Sequence, residues 1–286
     1  MCEQPLFADH LGRFFANNLF YSSDLYMTAY KRQELLKFFD NPEYTALDFF
    51  LFEDCVVVSN TRTMPKDTWS LRKKIIENPL IQNEIKRLRH LFNTEKECLI
   101  HTDLHASNIM ISQNKVKIID TEFAGFGPLA QDLGRLTASF CLNFCSWYGD
   151  PDHTEGEKSV FRAWLLNTID ALYHTFNDEF SRLCAKYSGD SYSLRTLDID
   201  AYLMQHLKDS LCYTALNAAS RIGDRGICYD LERLSPENRI YPDLLILTLC
   251  EEIFTHKERY TTITMFTDYL RTLAFKHPIE FYNVGK

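Results

Sequence analysis

The stretch His101-Thr102-Asp103-Leu104-His105-Ala106-Ser107-Asn108, answered twelve residues later by Asp120-Thr121-Glu122, decides how this chain is read. Residues 98–101 form a short apolar run that reads as a strand. Two more runs, 109–111 and 116–119, flank Ser112-Gln113-Asn114-Lys115, whose polar residues suit a hairpin turn. Asp103 therefore follows one strand and Asp120 another, with Asn108 between them. Alone, Asp103 reads as a turn or cap carboxylate and Asn108 as a turn former. Together, two strand-terminal carboxylates and an amide are what phosphoryl transfer needs: one carboxylate beside an attacking hydroxyl, and oxygen ligands to hold Mg²⁺ against nucleotide phosphates. A rival reading takes His101, Asp103 and His105 as alternate residues on one strand face, an H-x-D-x-H transition-metal site of a hydrolase. It needs further ligands, and the other histidines are scattered singly.

Outward from this stretch the chain reads as helices. Leu6, Phe7, Leu11, Phe14, Phe15, Leu19 and Phe20 recur at three and four over 5–26. Helices are also expected at 31–39, 80–92, 132–147, 160–176, 199–219, 242–254 and 261–275. Further strands are expected at 50–52 and 55–59, and loops around Pro65, 148–156 and 186–193. The fold class expected is α+β, mainly helical, with a small β element in a single domain over 1–286.

With 286 residues, 45% of them hydrophobic and 24% charged, the chain is long enough for a full core. A net charge of −8 supplies no basic stripe, so nucleic acid is not an expected partner. No apolar stretch approaches the roughly 18–20 residues that span a bilayer, so no membrane association is expected. The nine cysteines are odd in number, lack a CxxC pair and follow no signal peptide; they read as reduced thiols of a cytoplasmic protein. Cys141 and Cys145 share a helix face, a spacing better explained by core packing than by a metal site.

His-x-Asp-x-x-x-x-Asn followed by a strand and Asp resembles the aminoglycoside-phosphotransferase and choline-kinase superfamily. The continuation Asp120-Thr121-Glu122-Phe123-Ala124-Gly125-Phe126-Gly127-Pro128, then Asp132-Leu133-Gly134, is similar to the 5-methylthioribose kinase family, as are Phe7-Ala8-Asp9-His10-Leu11 and 19–26. The resemblance implies a protein-kinase-like C-terminal lobe and an ATP-dependent kinase that phosphorylates the anomeric hydroxyl of 5-methylthioribose or a similar sugar, a methionine-salvage step. It implies Asp103 as the catalytic base, Asp120 and Glu122 as Mg²⁺ ligands, Asp132 and His101 as supports of the catalytic loop, and a homodimer. Asn108 stands where the family usually has Ser; the general kinase pattern makes it a metal and nucleotide contact with Asp120. Thr121 replaces a usual Pro. Arg221 and Arg225 fall near an Arg-Arg pair of the family that is not reproduced here, and are the substrate candidates, with a solvated salt-bridge role open for each.

Kinase-type enzymes of this fold cover ATP with a β-rich N-terminal lobe that carries a glycine-rich loop and a strand lysine. Before residue 125 the only glycine is Gly12. The expectation is that the N-terminal lobe is absent, that the chain is a fragment or shortened relative of such an enzyme, and that it turns over little alone. The alternatives are a noncatalytic kinase-like binding or scaffold protein, and a phosphotransferase for another small alcohol such as an amino sugar or choline. Replacing Asp103 by Asn is expected to remove activity and leave melting nearly unchanged.

Overall fold

A computed structural model describes residues 5–53, 64–112, 115–189, 192–222 and 227–279. The chain opens on helix α1 (Pro5–Ser22), whose Leu11, Phe15 and Leu19 are buried as their spacing requires. Helix α2 (Ala29–Phe38) is capped by the Thr28 hydroxyl, and α3 (Pro42–Asp48) by the Asn41 amide oxygen with Pro42 in its first turn. The expected strand at 50–52 is instead a π-helical turn, Phe49–Glu53. Its burial shows why: Leu51 and Phe52, adjacent residues, are both buried while Phe49 and Phe50 are exposed. A strand would alternate them across its two faces. The expected strand at 55–59 lies outside the described residues.

Helices α4 (Lys66–Glu77) and α5 (Pro79–Thr94) follow, the second capped by Asn78 with Pro79 in its first turn. Pro65, expected in a loop, is the N-cap of α4. Strand β1 (Cys98–Ile100) leads into the decisive stretch, β2 (Ile109–Ser112) and β3 (Lys115–Ile118) form an antiparallel pair, and β4 (Gly125–Gly127) pairs antiparallel with β1. The segment between Asp103 and Glu122 is therefore looped out between the two strands of one small sheet, which brings its ends back together.

The remainder is helical, as expected, with longer elements. Helix α6 (Leu129–Ser146) buries Leu133, Leu136, Phe140 and Phe144, and also Cys141 and Cys145. Helix α7 (Glu155–Tyr187) begins on a Thr154/Glu157 capping box and overruns both expected ends. With α8 (Tyr192–Thr196) it occupies part of the expected loop at 186–193. Helix α9 (Ile199–Arg221) is followed by α10 (Tyr229–Glu232), α11 (Pro236–His256) and α12 (Ile263–Lys276). Proline usually marks a helix start, which places the expected beginning of α11 at Pro242; the helix starts one proline earlier and passes through it. None of the described helices is long and apolar enough to cross a membrane.

Two packed pairs make the core: α1 against α7, and α6 against α9. The second positions the site. A Cβ at Gly134 would stand 2.5 Å from the Ser210 carbonyl oxygen and 2.5 Å from the Tyr213 Cβ, so only glycine lets α9 pass this close to the first turns of α6. Thr214 donates its hydroxyl to the Gly134 carbonyl across the contact at 3.2 Å.

Candidate active site

The loop after β1 is held by its backbone. Asp132, in the first turn of α6, is fully buried, and its two carboxylate oxygens accept the His101 and Thr102 amide N–H groups, each at 2.7 Å. From the other side the Gln131 Nε2 donates to the Thr102 carbonyl at 3.3 Å. Thr102 sits between these holds at φ 74°, in the left-handed region that a β-branched residue rarely occupies. The conformation costs about 1–2 kcal/mol. It turns the chain sharply before Asp103. Burial pushes the Asp132 carboxyl up to about 6, against the two amides and the His101 and Arg135 charges that favour its ionised form.

Asp103 stands at the rim, its side chain 17% exposed. One carboxylate oxygen, Oδ1, is ion-paired with the Arg135 Nη2, and the other, Oδ2, lies 3.7 Å from the His105 Nε2. Arg135 projects from the second turn of α6 and is buried; its Nη1 donates to the Asn217 Oδ1 on α9 at 2.7 Å. Burial draws the Arg135 guanidinium down to about 10, with Arg221 adding to the effect and Asp103 opposing it. His105 is held below its ordinary value of 6.5, by burial first, against the pull of Asp103 and with Arg135, Arg221 and His101 adding. It is therefore a neutral imidazole at neutral pH. Removing the Asp103 charge would leave a buried guanidinium without its counter-charge, a cost that the expectation of unchanged melting leaves out.

Asn108 is buried and donates its Nδ2 to the Asp103 carbonyl at 3.1 Å, leaving its amide oxygen as the atom suited to a cation. The Ile119 N–H donates to the Asn108 carbonyl at 3.0 Å, so the β2 and β3 ends are tied at this point. Asp120 follows at φ 65°, ψ 53°, a left-handed conformation that Asp tolerates, and opens the 3₁₀ turn Thr121–Phe123. Asp120 and Glu122 are both exposed. Although Thr121 lacks proline's rigidity, the turn is fixed from outside: the Asn41 Nδ2 donates to the Glu122 and Ala124 carbonyls at 2.7 and 3.1 Å while its Oδ1 caps α3.

The donor set Asn108, Asp120 and Glu122 is all oxygen, the chemistry Mg²⁺ prefers; Mg²⁺ commonly takes one or two protein carboxylates, completing its shell with water and phosphate. Among the described residues no three His, Cys, Asp or Glu side chains converge as a metal site. The H-x-D-x-H reading loses its geometry as well, since residues 101–105 do not form the strand that would put His101, Asp103 and His105 on one face.

Of the substrate candidates, Arg221 ends α9, donates to the Ile227 carbonyl at 3.1 Å, and its charge acts on both His105 and Arg135, which puts it on the catalytic-loop side. Arg225 lies outside the described residues. Sequence reasoning missed Arg135, Asn217 and Gln131. The available signal was Arg135 itself: a charge three residues after Asp132, on the same face of an otherwise apolar helix.

Residues 59–164, which contain the whole stretch from His101 to Glu122, match the family described as "Phosphotransferase enzyme family". Over 264 residues the chain is 27% identical to a methylthioribose kinase of Bacillus mycoides, covering 92% of this chain and 65% of that protein. It is 26% identical over 249 residues to one of Bacillus pumilus (86% and 60%), and 26% identical over 266 residues to one of Bacillus cereus (92% and 65%). The chain thus spans 60–65% of the length of these curated relatives. Motif, family match and relatives agree: residues 59–164 match the phosphotransferase enzyme family, and most of the chain is similar to methylthioribose kinases.

Proposed function

We propose that the chain is the kinase-like catalytic lobe of a phosphotransferase that uses ATP and Mg²⁺ to phosphorylate the anomeric hydroxyl of 5-methylthioribose or a similar reducing sugar, within methionine salvage. The observation that carries the reading is the strained turn at Thr102, held by Asp132 and Gln131, which presents Asp103 at the rim next to a second fixed turn bearing Asp120 and Glu122. Loops are held in costly conformations where the geometry they create is used.

Asp103 accepts the proton of the attacking hydroxyl through Oδ2, since Oδ1 is engaged by Arg135. Asp120, Glu122 and the Asn108 amide oxygen would hold Mg²⁺, which would supply neutralisation of charge on the nucleotide phosphates. Arg221, whose charge acts on His105 and Arg135, is the residue assigned to the acceptor or the transferred group. His101 and Asp132 support the loop without touching substrate. The matched relatives, methylthioribose kinases, support the acceptor class.

The test is ³¹P NMR of long incubations of the chain, in keeping with the slow turnover expected of it alone, with Mg·ATP and a panel of methylthioribose, an amino sugar and choline. A product phosphate coupled to an anomeric proton, absent with Asp103→Asn, is the expected result. Transfer to choline or the amino sugar alone would move the acceptor. Absence of both transfer and Mg²⁺-dependent nucleotide binding would refute the reading in favour of a noncatalytic binding protein. Where nucleotide binds, Asp120→Ala should abolish its Mg²⁺ dependence.

A further inference from the structure

A general base on a loop is only as good as its orientation. Asp103 has two soft side-chain torsions and partial exposure, so the loop's backbone holds do not fix its carboxylate. Its Oδ1, however, meets a guanidinium that has little freedom of its own. Arg135 is rooted on α6, its side chain is 9% exposed, and its Nη1 is fixed to the Asn217 Oδ1 at 2.7 Å. Asn217 is itself oriented: its Nδ2 lies 2.8 Å from the Tyr213 carbonyl and 3.4 Å from the Gln131 Oε1. Gln131 in turn donates to the Thr102 carbonyl. The contacts run Asp103–Arg135–Asn217–Gln131–Thr102 and return to the residue next to where they began.

We propose that Arg135, aimed by Asn217, is the positioning residue of the Asp103 carboxylate: it holds Oδ1 so that Oδ2 alone, on the His105 side, receives the acceptor hydroxyl. This rests on the reading of Asp103 as the base. The arrangement also accounts for a buried guanidinium in an apolar helix. Packing alone would be served better by Met or Leu, because even a paired buried charge seldom recovers its desolvation cost. The acceptor's approach is then confined to one side of the carboxylate, between Oδ2 and the neutral imidazole 3.7 Å away. Neither Arg135 nor Asn217 touches the reacting atoms. Their effect should fall on turnover, where a misplacement of about 1 Å can cost on the order of 10²-fold.

The experiment compares wild type with Arg135→Met, Arg135→Lys and Asn217→Ala in the full chain, by steady-state phosphoryl transfer and denaturant unfolding, with Asp103→Ala and the Asp103→Ala/Arg135→Met double variant for unfolding. Arg135→Met should lower kcat about 10- to 100-fold with the acceptor KM near wild type, Asn217→Ala should lose less, and Arg135→Lys should recover part of the loss. The double variant should unfold at a higher denaturant concentration than additive single effects predict. A folded Arg135→Met variant with native kcat, or with its whole defect in KM, overturns the proposal, as do additive unfolding midpoints. A wild-type chain that binds no nucleotide and transfers no phosphate refutes the phosphotransferase reading instead; the unfolding cycle then decides whether Arg135 holds Asp103.

Discussion

Replacing Asp132 tests the hold on the catalytic loop, and its cost should depend on pH in a direction fixed by the burial of this carboxyl. In Asp132→Ala two amide N–H groups, those of His101 and Thr102, lose acceptors at 2.7 Å in a region closed to water. At about 1–3 kcal/mol for each orphaned donor the loss is about 2–6 kcal/mol. Set against this is the carboxylate's own burden. Its folded value of about 6 lies above the unfolded 3.8, so between these values the folded state binds more protons than the unfolded. Stability must therefore fall as pH rises through that window and stay lower above it. The interval is worth about 3 kcal/mol.

Wild type should lose most of that amount between pH 4 and 7.5 relative to Asp132→Ala, so the alanine variant should look severely destabilised at pH 4 and only mildly so at pH 7.5. Asp132→Asn keeps one acceptor and turns an NH₂ toward the second amide, so it should lose about 1–3 kcal/mol at pH 4 and also lack the pH-dependent limb. Denaturant unfolding at the two pH values, read as midpoint shifts at constant slope, is the assay. An alanine variant as stable as wild type at pH 4 would mean that the loop is not held this way. An equal deficit at both pH values would mean that burial of the charge has no consequence.

Three further substitutions follow from the same geometry. Thr102→Gly removes about 1–2 kcal/mol of left-handed strain for about 0.5–1 kcal/mol of added chain entropy, and deletes a buried hydroxyl without a partner; a gain near 1 kcal/mol in unfolding free energy is expected, and a loss would refute the strain. Asn41→Ala should cost about 1 kcal/mol as a lost cap and weaken Mg²⁺-dependent nucleotide binding by freeing the Glu122 turn, which calorimetric titration reads; unchanged affinity would show that the tether is not needed. His206, buried 3.0 Å from the Glu97 Oε1, is raised above 6.5 chiefly by that carboxylate's charge overcoming the cost of burial. Its contribution is present below 6.5 and lost as pH rises through the folded value, so His206→Gln should flatten the alkaline fall in thermal midpoint, and an unchanged pH profile would refute the pairing.

The helices were legible because apolar spacing is a direct record of burial. Leu11, Phe15 and Leu19 on α1, and Leu133, Leu136, Phe140 and Phe144 on α6, are all buried as their period demands. Where the record is short it fails. Helix α3 has seven residues, and α4 buries only Thr68, Arg72 and Ile75 among its described side chains, so neither offers two turns of apolar repeat. The aromatic run at 49–52 fits strand or helix by composition, and only the burial of adjacent Leu51 and Phe52 separates them. Strand β4 is Gly-Phe-Gly, which no propensity marks as a strand; its pairing with β1 is enforced from outside by the chain returning to close the sheet.

The candidate site divides along the same line, between what is local in the chain and what is assembled. Residues 101–122 carry their pattern in consecutive sequence, so Asp103, Asn108, Asp120 and Glu122 can be named without a structure. Asn217 cannot, and Arg135 shows only as an unexplained charge on an apolar helix, because their meaning arises from a contact across 82 residues. The structural reason is compact. Asp132 and Arg135 lie three apart on one face of α6, the first holding the loop's backbone and the second its carboxylate. Gly134 lies between them because α9 must pass within contact distance for Asn217 to reach Arg135. A side chain at 134 would force α9 away from α6, separating Asn217 from Arg135 while leaving Asp132 on its own helix and loop. The backbone of the loop would then stay held as the Asp103 carboxylate lost its aim, so, on the proposed reading of Asp103 as the base, its orientation more than the fold of the loop is what the glycine in Asp132-Leu133-Gly134-Arg135 protects.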